Sequence, residues 1–425
     1  MKRLVLLVLV SGLLLSGCSS TTREMKYKEP DESMKGATQH TQGTTEAPSA
    51  DETSAEPTEE TTEAVEVPEV LGGSGMSYTA VLNLYNKGVD KTSNWCFSPY
   101  SLLDCMSIIA MDVQGDTKAE YDMLGASNWQ FFADYDKKLP EGLSISNRAY
   151  INEDMKDATN TDFVRPGCDI HVLKFDDAAL QLINDNVSHD TNGKIERIFD
   201  FLEPDKPSCF VNAVYFNNKW DWEAKDVVWK GDSELRPGFG DDIGIDCVKE
   251  LSPEIDMVRL EYPGTDFAMY VMCPNHEVEG LTSKNLDSFM ENDFSFDMLT
   301  PNTEDLWDEA LFRMPSFEFS AQPEVQDALM GIGVKSIFGD TADFGQLGRL
   351  YVGSIVQKTY VKVNNKGTEA AAATGMMMNA MSAQPMEVRR KSVIVNQDFV
   401  FVIKDEAKDV VLFMGRVTDP VGENE

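Results

Sequence analysis

The chain has 425 residues and a formal net charge of −35 at pH 7, with 72 Asp and Glu against 37 Lys and Arg. That excess of negative charge argues against nucleic acid and anionic membrane faces as partners, and no basic run or basic–aromatic patch offsets it. Seven cysteines without a Cys-x-x-Cys pair, and four histidines without ligand spacing, argue against a zinc site.

In chain order, Lys2 and Arg3 precede an apolar run from Leu4 to Leu15. This predicts a secretory signal over residues 1–17, too short to span a membrane stably. Leu15-Ser-Gly-Cys18 resembles a bacterial lipobox. The resemblance implies a lipid on Cys18 that holds the protein on the outer face of a bacterial membrane without spanning it. An ordinary signal peptide followed by a chance cysteine is the alternative.

Residues 18–72 are rich in Ser, Thr, Glu, Pro, Ala and Gly, and positions 19–72 carry thirteen acidic residues against four basic ones. Little there can build a core, so a disordered acidic tether is expected. A flexible coil of that length spans about 40 Å, and self-repulsion extends it.

Removing the leader (+2) and the tether (−9) leaves −28 on residues 73–425. Length alone would suggest two domains there. Eight short motifs run through this body in order. The first four are Asn94-Trp-Cys-Phe-Ser-Pro-Tyr-Ser101, Ser144-Ile-Ser-Asn-Arg-Ala-Tyr-Ile151, Asp190-Thr-Asn-Gly-Lys-Ile195 and Phe210-Val-Asn-Ala-Val-Tyr-Phe-Asn-Asn-Lys-Trp220. The others are Arg313-Met-Pro-Ser-Phe317, Leu329-Met-Gly-Ile-Gly333, Thr341-Ala-Asp-Phe344 and Val411-Leu-Phe-Met-Gly-Arg-Val-Thr-Asp-Pro420.

Between the last two motifs, residues 366–382 form a run of small, mostly uncharged residues opened by Gly367-Thr368-Glu369. Its Ala and Met content favours a surface helix. The absence of an apolar stripe, and Gly375, count against one. A β-like run, Val393 to Ile403, follows.

The motifs and the run together resemble the serpins, a family of suicide protease inhibitors, from about residue 76 to the C-terminus. The resemblance implies one large α+β domain over 73–425: a large central β-sheet, smaller sheets, surrounding helices and an exposed reactive loop at about 365–392. It also implies a hinge at Gly367, Thr368, Glu369, Ala370, Ala371, Ala372, Ala373 and Thr374, and a scissile bond between Met381 and Ser382. A protease cutting there would form an acyl-enzyme with Met381, and the segment from Thr368 to about Asn379 would insert as a new strand. Side chains alternate along a strand. Thr368, Ala370, Ala372, Thr374 and Met376 would then point inward, a set without charge or proline. Ser98, Pro99, Ser101, Asn212 and Gln357 match the region that lets the sheet open, and Trp220 matches the top, where the hinge enters.

Met381 suits elastase-like, chymotrypsin-like and subtilisin-like pockets. The expected partner is therefore an extracellular serine protease held in a covalent acyl-enzyme complex, with the inhibitor a monomer. The region at about 116–142 offers only Lys137-Lys138, so no polysaccharide activator is expected. A non-inhibitory binding module, or a cross-class inhibitor of papain-like cysteine proteases, are the other readings. No enzyme is expected: His171, His189 and His276 lie in no catalytic pattern, and Gly72-Gly-Ser-Gly75 lacks the strand a nucleophile turn needs. No cofactor is implied. Cys96, Cys105, Cys168, Cys209, Cys247 and Cys273 read as buried free thiols, with disulfides the alternative. Lys230 to Glu250 fits the family pattern least.

Overall fold

The computed structural model describes residues 75–418, apart from 140, 169, 221–224, 231–234, 305 and 369–387. The chain starts with α1 (Tyr78–Gly88), β1 (Trp95–Phe97), α2 (Pro99–Ser107), α3 (Gly115–Leu124) and α4 (Trp129–Asp136). Next come β2 (Leu143–Asn152), β3 (Ile170–Leu173), α5 (Asp177–Asp190), β4 (Ser208–Phe216) and β5 (Asn218–Lys219). The middle holds β6 (Lys225–Lys230), β7 (Leu235–Ile243), β8 (Val248–Ser252), β9 (Ile255–Glu261), β10 (Phe267–Pro274) and α6 (Ser283–Asn292). β11 (Glu309–Pro315), β12 (Phe317–Ala321), α7 (Val325–Gly331) and β13 (Ser354–Asn364) follow. β14 (Gly367–Thr368), β15 (Arg390–Ile394), β16 (Phe399–Asp405) and β17 (Val410–Val417) close the chain.

The strands make three sheets. The central one runs β3-β2-β4-β13, with β12 on the outer edge of β13 and the short β14 and β5 at one end. A six-stranded sheet runs β1-β17-β16-β10-β9-β8, and a four-stranded one β15-β11-β7-β6. This is the α+β arrangement of one large sheet, smaller sheets and outer helices that the motifs imply. At the start of the poorly matching stretch, β6 and β7 pair antiparallel, from Lys225 opposite Gly240 to Lys230 opposite Leu235. The run from Val393 to Ile403 is two strands, not one. It leaves the four-stranded sheet at Ile394 and joins the six-stranded sheet at Phe399. Two polar anchors fix the crossing: Gln397 Nε2 donates to the Leu281 carbonyl, and Asp398 accepts from Arg416.

β4 explains why the sheet sits at the centre. All nine of its residues are buried, which requires cover on both faces. Cys209, Val211, Ala213 and Tyr215 face a cluster with Ile183 and Val187 of α5, while Phe210, Val214 and Phe216 join the main core. The period of two that strand geometry imposes thus divides one strand between two cores. α2 is buried along its whole length and carries an apolar run interrupted by Asp104. Ser98 caps it by accepting from the Ser101 amide, and Pro99 takes the first helical position, where a missing N–H costs nothing. All six body cysteines are free thiols; Cys96, Cys105, Cys209 and Cys273 are buried, while Cys168 and Cys247 are half-buried.

Candidate functional site at the seam of the central sheet

β4 and β13 are parallel neighbours, paired from Cys209 opposite Ser354 to Tyr215 opposite Tyr360. A strand that turned back from the end of β13 and entered this seam would run antiparallel to both neighbours. The chain begins that move. After Asn365-Lys366 it folds back, so that Thr368 lies opposite Val363 and Gly367 opposite Asn364. On its other side β14 pairs with β5, Gly367 opposite Lys219 and Thr368 opposite Asn218. Two residues of a further strand are seated at the top, and the seam below stays closed.

Local chemistry fixes these two residues. Gly367 has φ +134, and a Cβ there would stand 2.4 Å from the Asn218 carbonyl oxygen, so only glycine fits. Thr368 is fully buried, with its hydroxyl 2.6 Å from that of Tyr262. Trp220 clasps the turn: Nε1 donates to the Asn364 carbonyl at 2.8 Å, and its backbone N–H donates to the Lys366 carbonyl at 3.1 Å. Its ring stacks on Tyr262 with centroids 4.8 Å apart. Burial holds the Tyr262 hydroxyl well above the ordinary phenol range, so it stays a neutral partner for Thr368.

Lower down, three side-chain amides line up across neighbouring strands. Asn147 of β2 lies opposite Asn212 of β4, which lies opposite Gln357 of β13. Gln357 Nε2 donates to Asn212 Oδ1, and Asn212 Nδ2 donates to Asn147 Oδ1. The start of α2 caps this row. Ser98 N–H donates to Gln357 Oε1 at 2.8 Å, Gln357 Nε2 donates to the Ser98 carbonyl at 2.9 Å, and Asn212 Nδ2 donates to the Ser101 carbonyl at 2.8 Å. Asn212 and Gln357 are fully buried, so each lost bond would cost about 1–3 kcal/mol. Hydrogen bonds therefore close the seam at its centre, where side-chain interdigitation would resist a passing strand.

Of the residues singled out from sequence, Ser98, Ser101, Asn212 and Gln357 meet at this row, with Pro99 buried beside them at the start of the helix. Trp220, Gly367 and Thr368 meet at the top. Glu369, Ala370, Ala371, Ala372, Ala373, Thr374, Met381 and Ser382 lie outside the described residues, as do Cys18, the leader and the tether. The sequence reading did not single out Asp104, Arg165 or Tyr262, and it met Asn147 only as the middle of the Ser144–Ile151 motif. Asp104 gave a signal, as a lone charge inside an apolar helix. Tyr262 precedes Pro263-Gly264 and reads as part of a turn. Among the described residues, no group of three or more His, Cys, Asp and Glu is placed to hold a metal ion, and no helix is long and apolar enough to cross a membrane.

Comparison with known proteins agrees with this fold. The family model described as serpin (serine protease inhibitor) matches residues 78–227 and 242–420. A serpin-like protein of Methanosarcina acetivorans is 30% identical over 257 residues, covering 57% of this chain and 58% of that relative. Iripin-5 of Ixodes ricinus is 26% identical over 358 residues, covering 76% of this chain and 88% of its own length. Among solved structures, the thermophilic serpin tengpin in its native state superposes with a TM-score of 0.65 at 20% identity, over 83% of this chain and 96% of that one. Arabidopsis AtSerpin1, in a native stressed conformation, gives 0.62 at 23% identity, over 80% and 96%. The chain belongs to the serpin family, whose members are for the most part protease inhibitors and not catalysts.

Proposed function

We propose that this protein is a single-use inhibitor of extracellular serine endopeptidases of elastase, subtilisin or chymotrypsin type. The observation that supports this most directly is Gly367-Thr368 seated between β5 and β13, above a closed parallel seam. A target protease attacks the Met381 carbonyl. The Met381–Ser382 bond breaks, the Ser382 amine leaves, and the protease serine is held as an ester of Met381. The strand begun at β14 then extends from Glu369 down the seam. Roughly eleven residues at about 3.3 Å each would add about 36 Å of strand, with the protease held beyond its far end. The inward set Thr368, Ala370, Ala372, Thr374 and Met376 adds no buried charge to that path, where an unpaired one would cost several kcal/mol.

In the same proposal, a lipid on Cys18 anchors the chain to the outer face of a bacterial membrane, and residues 18–72 hold the serpin domain of 73–425 away from it. The protein acts as a monomer, without nucleic acid or a polysaccharide activator.

Residues 19–425, mixed with pancreatic elastase or subtilisin, should give a complex that survives boiling in detergent and a released peptide beginning at Ser382. Clean loop cleavage without a complex would instead make the chain a plain substrate or a binding module. A stable complex formed only with a papain-like protease would move the target to the cysteine class.

A further inference from the structure

The amide row at the seam has a direction, and it ends on a buried charge. Ser98 N–H donates to Gln357, Gln357 to Asn212, Asn212 to Asn147, and Asn147 Nδ2 to Asp104 Oδ2. Asp104 is 1% exposed, in the middle of α2. Its other oxygen accepts from Arg165 Nη1 at 2.6 Å, and Arg165 Nη2 donates to Asp136 at 2.8 Å.

An ionised carboxylate can only accept. Asn147 therefore turns its NH2 toward Asp104 and the Ser101 carbonyl, the latter at 3.1 Å, and its carbonyl oxygen toward Asn212. The backbone at the start of α2 fixes the other two amides in the same sense, Asn212 by the Ser101 carbonyl and Gln357 by the Ser98 N–H and carbonyl, so every link crosses the sheet one way. The final link, from a neutral amide to a charged acceptor, is the strong one. Neither the hinge nor the cleavage chemistry makes use of Asp104.

We propose that Asp104 is a positioning residue for sheet opening: its charge holds the Asn147 end of the amide chain that closes β4 against β13, and losing that charge lets the seam part more readily. This rests on the reading of the chain as a loop-inserting inhibitor.

The groups facing Asp104 are Arg165 and Cys168 from the segment before β3, Asp136 at the end of α4, Asn147 of β2, and Tyr100 and Cys105 of α2 itself. Burial, reinforced by Asp136 and opposed by Arg165, pushes the Asp104 carboxyl up to about 7. Parting the seam releases the amides that hold Asn147 in its donating pose. Opening therefore disfavours the charged form and takes up a proton, and a lower pH favours opening.

The test is the stoichiometry of inhibition of subtilisin, the number of inhibitor molecules consumed per protease trapped, between about pH 6 and pH 8. For the wild type it should fall about threefold toward the acid end as insertion outpaces ester hydrolysis. For Asp104→Asn it should be low and flat, and parallel profiles in the two proteins would overturn the proposal. Should Asp104→Asn fail to fold, Gln357→Leu cuts the chain at the seam and should flatten the same profile; a slope like that of the wild type would overturn it equally. If the wild type traps no protease, the inhibitor reading fails by itself, and unfolding midpoints then decide about Asp104. Asp104→Asn breaks the buried pair with Arg165 in both forms, so it should lower the midpoint of the loop-cleaved protein and lower that of the uncleaved protein further, whereas equal shifts in both would overturn the role.

Discussion

The hydroxyl of Thr368, the last described residue before the loop, lies 2.6 Å from that of Tyr262, and both residues are buried. The contact joins the hinge strand to the end of β9, and it exists before any protease has acted. Tyr262→Phe removes one hydroxyl and leaves the other buried without this partner, at a cost of about 1–2 kcal/mol. The hinge should loosen, and more of the protein should be cleaved without trapping the protease. Thr368→Val should have a similar effect, and the double variant should fall short of the sum, because the two changes remove one bond. Full additivity in the stoichiometry of inhibition would refute the pairing.

Thr368→Arg tests the hinge more severely. A guanidinium would there replace a buried hydroxyl whose partner, the Tyr262 hydroxyl, is neutral. The variant should keep the fold, still be cut in the loop, and lose at least tenfold in covalent complex, read on a denaturing gel. Unchanged complex formation would place the hinge elsewhere.

Met381→Arg addresses target choice. An arginine at the bond should redirect inhibition toward trypsin-like enzymes, whose pocket holds a buried acid, and reduce inhibition of elastase at least tenfold. Rate constants measured against the two proteases decide it. Unaltered preference would move the scissile bond to a neighbouring residue.

Lys391 of β15 and Asp256 of β9 form a fully buried ion pair at 2.9 Å, with Glu250 also 2.7 Å from the ammonium. Burial pushes Asp256 up to about 6 against the pull of Lys391. The folded protein thus holds this proton more tightly than the unfolded chain. The resulting stabilisation is fully present below about pH 4 and is lost as pH rises through about 6. Asp256→Asn lacks that loss. Between about pH 4 and pH 7, urea unfolding should shift in its favour relative to wild type by about 1–3 kcal/mol. A constant difference across that range would mean that Asp256 is ionised throughout.

Ser98, Ser101 and Asn212 stood out because each belongs to a short contiguous motif, and Gln357 because the resemblance put it beneath the sheet; the structure brings the four together at one row. The class of fold was legible for the same reason. Asp104 and Arg165 were not, since they are 61 positions apart in sequence and nothing local to either one indicates the other. Tyr262 was hidden by its neighbours, because a tyrosine before Pro-Gly looks like turn punctuation until stacking on Trp220 and the bond to Thr368 are seen. The run from Val393 to Ile403 misled because continuous β-propensity carries no mark of where a chain changes sheets.

The parallel pairing of β4 with β13 also bears on how the protein must be handled. On the proposed mechanism, the closed seam persists because of a barrier, while the state with one more strand lies lower in free energy. Two samples of identical sequence, buffer and temperature then need not contain the same molecule. Newly made protein carries the closed seam, whereas protein unfolded and renatured can settle with the seam filled. Its activity is a record of its preparation, and a melting temperature for this chain has meaning only alongside the heating rate and the history of the batch.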